Sequence, residues 1–344
     1  MWSQVQIPKT MKAIQASLKT GGLDVLELNE IPVPSPKANE VLIKVQWTGT
    51  NYIDTYIRSG LYPRPMPFTL GGGLVGTIAS LPSSPPLSTG SLPALELGQT
   101  VLSNAAGAFA EYAVAPAHQV AALPKDVDPK DGVHMTIPAF TAMYLVKESY
   151  EVTKGDWILV RAAAGGVGLL LCQLVKHYGG NVIGTVSTEA KASEAKAAGA
   201  DHVLLTTSSS SDNVAEILRI TGGKGVQAVY DGVGKDTWEE NFEVIRKKGS
   251  IVTYGNASGA VPAFEPLKLM AKCVKVSRPT LNVFIEEPED FARYAGLIFD
   301  AVKAGGLKFS IHKVYPFTAE GVAQSQTDIT SRGTTGKLLI KVAE

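Results

Sequence analysis

Apolar and polar positions along this chain change rhythm once, near residue 141. Beyond it, the apolar runs WILVRA, NVIGTV, HVLL, AVYDGV and SIVTYG are separated by turns and by stretches of helical spacing such as LLLCQLVKHYGG. Runs that are apolar on successive residues suit strands covered on both faces, and their alternation with helices predicts a parallel sheet flanked by helices. Before residue 141 the runs are shorter, EVLIKVQWTG among them, Gly and Pro are dense and helical periodicity is scarce, which predicts a compact, mostly β unit. LPSSPPLSTGSLPALELG, residues 81–98, reads as a surface loop. After residue 281 come an amphipathic helix around DFARYAGLIFDAVKAGG and a last strand, KLLIKV, a tail that the pattern alone fits to either unit.

Composition narrows this α/β, two-domain picture without changing it. At 344 residues the chain exceeds what one core usually serves. Its 32 basic residues balance 32 acidic ones and form no recurring block, so bulk charge leaves no footprint for nucleic acid. Two cysteines, Cys172 and Cys273, are too few for a disulfide framework or a four-thiolate zinc lobe, which suits a reducing, cytoplasmic setting. The opening MWSQVQIPKTMKAIQ lacks the apolar core of a signal peptide, and no stretch reaches the roughly 18 apolar residues of a membrane span. The five histidines, at 118, 134, 177, 202 and 312, lack metal-like spacing, and no metal is expected.

Chemistry concentrates in AAAGGVG, residues 162–168, between the run WILV and a helical stretch. Read as G-x-G-x-x-G, the marked positions fall on Ala163, Gly165 and Gly168. Ala164, Gly165, Gly166, Val167 and Gly168 would then bring bare backbone and helix-start N–H groups to a pyrophosphate. Small residues at a tight turn also serve plain packing, but NVIGTV at the right distance completes a mononucleotide-binding half. An NAD site normally closes that second strand with Asp or Glu; here it runs GTVST, followed by Lys191. Ser187 and Lys191 would accommodate a 2′-phosphate that a carboxylate would repel, which predicts NADPH over NADH. The plainer reading makes Ser187 or Thr188 a helix cap and leaves Lys191 in solvent.

TGTNYIDTYIRSGLYP (48–63), AAAGGVG with its helix, GTVST..K, DGVGKDTW, YGNASG (254–259), SRP (277–279) and SRGTTGKLLI together resemble the ζ-crystallin-like quinone oxidoreductases, fungal-type members in particular. These belong to the zinc-independent medium-chain dehydrogenase/reductase superfamily. The resemblance implies a GroES-like catalytic domain over residues 1–140 and 281–344, and a Rossmann doubly wound domain over 141–280. It implies an NADPH-dependent reductase of quinones, ortho-quinones among them, working as a homodimer. Asn51, Tyr56, Tyr62 and Arg278 would face the acceptor, offering donors and positive charge to an oxygen that gains negative charge, with the proton coming from Tyr56 or from water. Thr141, Tyr254, Gly255, Asn256, Arg332 and Lys337 correspond to cofactor contacts. Asn51 with Asp54 also reads as a helix cap, and Cys172 as a small core residue.

The chain departs from that family at Gly73, where members commonly carry Glu, at Thr206, where a Tyr often stands near the 2′-phosphate, and at Val283-Phe284-Ile285 after Arg278. Zinc-dependent relatives carry Gly-His-Glu where Gly71-Gly72-Gly73 stands. Two other activities fit the same motifs: a zinc-free reductase of 2-alkenals or enones, and an NADPH-regulated binder of AU-rich RNA. Neutral charge and the lack of an aromatic stacking motif weigh against RNA.

Overall fold

The structure, a computed structural model, describes residues 7–84, 92–207 and 209–343, so part of the loop expected at 81–98 lies outside the described residues. Contacts divide the chain into a first unit, Met1–Ile137 with Phe284–Phe299 and Phe309–Glu344, and a second, Pro138–Val283 with Asp300–Lys308. Residues 300–308 thus go with the nucleotide-type unit, where Gln173 holds both the N–H and the carbonyl of Lys308.

The first unit contains β1 (Thr10–Ala16), β2 (Leu26–Pro32), β3 (Glu40–Thr50), α1 (Tyr52–Ser59), β4 (Phe68–Thr69), β5 (Gly72–Ser80), β6 (Thr100–Ala106), β7 (Tyr112–Pro116), β8 (Val120–Ala122) and α2 (Pro129–Gly132). Strand β3 is its spine: it pairs antiparallel with β5 and β7, and with the C-terminal strand Lys337–Lys341. That last pairing, Leu338 opposite Thr50, puts the tail in this unit. Alternation along the strands sends Val41, Ile43 and Val45 to one core and Leu42 to another.

The second unit follows with α3 (Ile137–Tyr144), β9 (Trp157–Val160), α4 (Gly166–His177), β10 (Asn181–Val186), α5 (Glu189–Ala197), β11 (His202–Leu205), α6 (Ser210–Ile220), β12 (Val226–Asp231), α7 (Trp238–Val244), β13 (Ile245–Thr253), β14 (Lys275–Ser277) and α8 (Leu281–Phe284). Its sheet runs β11-β10-β9-β12-β13-β14, every pair parallel. Burial of Ile158, Leu159, Val160, Ala228, Val229 and Tyr230 at 0% exposure explains why the central strands are apolar without alternation. Strand order reverses between β9 and β12, which makes the C-terminal ends of those two strands the place where a doubly wound sheet opens a ligand crevice. The chain finishes with α9 (Pro288–Lys303), β15 (Ile311–Pro316), α10 (Ala319–Thr330) and β16 (Lys337–Lys341). Among the described residues no helix is long and apolar enough to cross a membrane.

Candidate functional site

In the second unit, the turn after β9 is tighter than its letters suggest. Its left-handed residue is Ala162, at φ 51°, one position before the Ala163 expected to take the first glycine's place. Ala163 is buried and ties the turn to the next strand through its N–H to Thr185 O, 3.0 Å. A Cβ on Gly168 would stand 2.3 Å from Ala162 O, so only glycine lets α4 start this close to the strand end. Gly165 is the N-cap and brings no side-chain cap, so the first-turn N–H groups of Gly166, Val167 and Gly168 remain directed out of the helix start, as an anion site requires.

Strand β10 ends on buried Val186 with no acid. Thr188 caps α5, its hydroxyl accepting the Lys191 N–H at 3.3 Å, so Thr188 takes the capping part and leaves Ser187 and the half-buried Lys191 side chain beside the acid-free strand end. Burial lowers the Lys191 pKa from its ordinary value. At the far end of β13, Tyr254 and Gly255 donate their N–H groups to Asp231 O at 2.8 and 3.4 Å, and a Cβ on Gly255 would meet Gly232 O at 2.4 Å. Asn256 follows in the same half-buried turn. The Thr253 hydroxyl, at the C-terminal end of β13, is buried without a hydrogen-bond partner, a polar atom that a bound polar ligand would satisfy. These features fit a dinucleotide. Nearby in sequence, Arg278 donates to Thr253 O at 2.7 Å and lies close enough to the Tyr144 hydroxyl to oppose the upward pKa shift that burial gives it; Thr141 hydrogen-bonds the same hydroxyl.

In the first unit, α1 carries an aromatic cluster: Tyr56 lies 6.1 Å from Tyr52 and packs edge-on to Tyr62 at 5.4 Å between ring centroids. Arg332, at left-handed φ 60°, acts electrostatically on Tyr52. Asn51 does cap α1, with its N–H held by the Asp54 carboxylate at 2.7 Å. Its side chain is otherwise engaged than expected: Nδ2 donates to Gly49 O (3.1 Å) and Gly72 O (3.0 Å), while Oδ1 accepts from Lys337 Nζ (2.6 Å). Both amide hydrogens are thus spent on backbone, and Asn51 braces the unit. Lys337, only 3% exposed, also donates to Thr50 O at 2.6 Å. Burial lowers its pKa and raises that of the equally buried Asp54, each partly offset by the opposite charge of the other.

Gly71 and Gly73 have φ of 91° and 79°, and a Cβ there would strike Phe109 at 2.4 Å and Thr136 Oγ1 at 2.5 Å. The glycine at 73 therefore answers to local geometry. Among the described residues no three or more His, Cys, Asp or Glu side chains gather as metal ligands. Cys172 is buried in α4 with its thiol pushed up to about 12, too high for a nucleophile, while Cys273 is exposed.

Sequence reading missed Asp231, Asn241 and Arg161, a buried polar chain at the ends of β9 and β12. The signal available was a charged residue closing each of two apolar runs, WILVR and AVYD.

Comparisons agree with this layout. Residues 37–125 match the alcohol dehydrogenase GroES-like domain, and residues 166–299 match the zinc-binding dehydrogenase domain, whose name finds no ligand set among the described residues here. A probable quinone oxidoreductase of Schizosaccharomyces pombe is 36% identical over 324 residues, 94% of each chain. A 2-haloacrylate reductase of a Burkholderia species is 32% identical over 342 residues, 94% of this chain and 96% of its own. The crystal structure of Escherichia coli quinone oxidoreductase complexed with NADPH superposes with a TM-score of 0.89 at 33% identity, covering 96% of this chain and 100% of that one. By its two matched domains and these relatives, the chain belongs to the quinone oxidoreductase family of the zinc-independent medium-chain dehydrogenases/reductases.

Proposed function

We propose that the protein is an NADPH-dependent quinone reductase with ortho-quinones among its acceptors. The observation that carries the reading is the crevice end of the second unit: a bare glycine turn at the strand-order reversal, followed by a strand that closes without an acid and with Lys191 half-buried beside it. When bound, NADPH supplies the hydride. The N–H groups of Gly166, Val167 and Gly168 hold the pyrophosphate, and Ser187 and Lys191 hold the 2′-phosphate. Thr141 and the Tyr254-Gly255-Asn256 turn bound the nicotinamide end, and Arg332 contributes positive charge on the first unit. Arg278 presents a guanidinium toward an oxygen gaining negative charge. Tyr56, supported edge-on by Tyr62, offers a flat face to a planar acceptor and a hydroxyl from which its oxygen can take a proton. Asn51 and Lys337 serve this surface by holding α1 in place.

Two further parts of the reading concern setting. Strand β14 is a sheet edge flanked by exposed Leu267, Met270 and Val283, at 69, 70 and 64% exposure, and a second copy pairing there would make a homodimer. Both cysteines are free, as a cytoplasmic protein's would be. The 2-haloacrylate reductase relative favours one other reading, reduction of a carbon–carbon double bond conjugated to a carbonyl or carboxylate.

Fluorescence titration with NADPH and NADH, followed by turnover on 9,10-phenanthrenequinone and on a 2-alkenal, tests the assignment. NADPH should bind more tightly than NADH, and Lys191→Ala should weaken NADPH about tenfold while sparing NADH, the loss of one charge-assisted contact. Equal affinities, or an unchanged Lys191→Ala, would remove the cofactor assignment. Turnover of the alkenal alone would transfer the protein to the double-bond reductases.

A further inference from the structure

Three buried polar residues of the second unit, Asp231, Asn241 and Arg161, have been given no part in cofactor binding above, although Asp231 opens the DGVGKDTW stretch. Asp231, 0% exposed, ends β12. Its carboxylate accepts four hydrogen bonds: Val233 N (2.7 Å) and Gly234 N (3.1 Å) at Oδ1, and Thr237 Oγ1 (2.7 Å) and Asn241 Nδ2 (2.6 Å) at Oδ2. Asn241, also 0% exposed, accepts through its Oδ1 from Arg161 Nε and Nη2 at 3.0 and 2.9 Å. Arg161, 2% exposed, completes the chain with Glu240, 2.5 Å from its Nη1. Four donors meeting one group require the lone-pair sites of an ionised carboxylate, since an amide oxygen can accept only half as many.

Location gives this chain its meaning. Arg161 directly follows β9 and precedes the glycine turn; Asp231 ends β12; these are the two strands on either side of the order reversal. The loop that Asp231 gathers, residues 232–237, is in turn zipped to the loop after β13. Ala257 N donates to Gly232 O (3.2 Å), Ser258 N to Val233 O (2.9 Å), and Tyr254 N to the carbonyl of Asp231 itself (2.8 Å). One buried carboxylate therefore sets both loops on one side of the crevice and, through Asn241 and Arg161, ties them to the turn on the other side. Packing alone could use apolar residues here, and a buried charge is costly unless its geometry is needed.

We propose that Asp231 is a positioning residue for the dinucleotide, acting through loops 232–237 and 254–256, with Asn241 and Arg161 fixing its own place. This rests on the reading that NADPH occupies the crevice.

The test compares three variants of the full chain by NADPH fluorescence titration, thermal melting, and quinone turnover at saturating NADPH. Asp231→Asn removes acceptor capacity at the centre. Thr237→Val removes one donor from a half-buried loop residue and keeps its shape. Asp156→Asn is the control: this carboxylate is also buried, accepting from Tyr150 Oη, Thr153 N and Thr153 Oγ1, but it sits just before β9, at the N-terminal ends of the strands and away from the crevice. The NADPH Kd should rise about tenfold or more in Asp231→Asn and about threefold in Thr237→Val, the range of one to two lost hydrogen bonds. Asp156→Asn should melt earlier with its Kd within about twofold of wild type, and the quinone KM at saturating NADPH should not move in Thr237→Val. If Asp231→Asn fails to fold, Thr237→Val decides. Unchanged NADPH affinity in Thr237→Val and any folded Asp231→Asn overturns the proposal, and so does an equal loss in Asp156→Asn, which would mark general loosening. A wild type that binds no NADPH overturns the cofactor reading and this inference with it; a wild type that binds, with variants that bind equally well, overturns only the inference.

Discussion

Replacing Lys337 with Met removes a buried ammonium while keeping the length of its stem. The structure sets the cost. Thr50 O and Asn51 Oδ1 lose their donors, and Asp54, 2% exposed, loses the cation that faces it. Lys337 and Asp54 interact through charge and share no salt bridge, so the loss of a buried opposite charge costs at most about 3–5 kcal/mol. That figure applies where Asp54 would otherwise be ionised, because a protonated carboxyl needs no counter-charge. Asp54's folded pKa, already raised by burial, rises further without Lys337, so the folded variant binds a proton that the unfolded chain releases above about pH 4. Stability of the variant therefore falls as pH rises, by up to about 1.4 kcal/mol per pH unit, until Asp54 ionises in the fold. Urea unfolding at pH 5.5, 7 and 8.5, analysed at constant m, should show a loss relative to wild type that grows across that series. Adding Asp54→Asn should restore part of the stability and flatten the pH dependence, leaving about 1–2 kcal/mol for the orphaned carbonyls. A loss equal at pH 5.5 and 8.5, or a double variant less stable than Lys337→Met, would refute the pairing.

Two more outcomes follow from the same physics. His134 is enclosed between Asp131 O and Ser310 O at 3.2 and 3.0 Å, and burial pushes its pKa down to about 4 from 6.5. The unfolded chain thus takes up that proton first, and stability is lost as pH falls from about 6.5 to about 4, in total about 3 kcal/mol; His134→Gln should flatten this part of the profile, and an unaltered slope would contradict it. Gly168→Ala, whose Cβ would stand 2.3 Å from Ala162 O, should cost about 1–3 kcal/mol in urea unfolding and weaken NADPH at least tenfold, whereas wild-type behaviour in both would show that the turn has room.

What could be read from the letters was whatever lies close in sequence. Strands β9, β10, β12 and the C-terminal end of β13 were legible because full burial on both faces makes each a continuous apolar run, whereas the exposed Arg246-Lys247-Lys248 hid where β13 begins. Strand β14 was not: three residues long and on an edge, KVS carries no such run. The glycine turn and its acid-free partner strand could be placed because they span only some thirty residues. By contrast, the bonds that brace each unit join Lys337 to Asn51, 286 positions apart, in the first and Arg161 to Asn241, 80 apart, in the second, and no local pattern encodes such meetings. Asn51 illustrates the result. The family resemblance implied a donor to the acceptor, and only the carbonyls of Gly49 and Gly72 show where those hydrogens go.

The glycine floor at 71–73 also limits how this protein can change. At its outer two positions any side chain meets both a left-handed backbone and the unyielding Phe109 or Thr136, whereas at Gly72 the obstacle is only the flexible end of Ile137, 2.9 Å away. Randomising the three codons would accordingly return glycine almost alone at 71 and 73 while admitting small residues at 72. A lineage starting from this chain would have to displace the end of Ile137 to place a His at 72, and could not reach a Glu at 73 in one step. Thr136 would have to shrink first, so the order of mutations, and not just their sum, governs whether a metal-ligating floor is within reach.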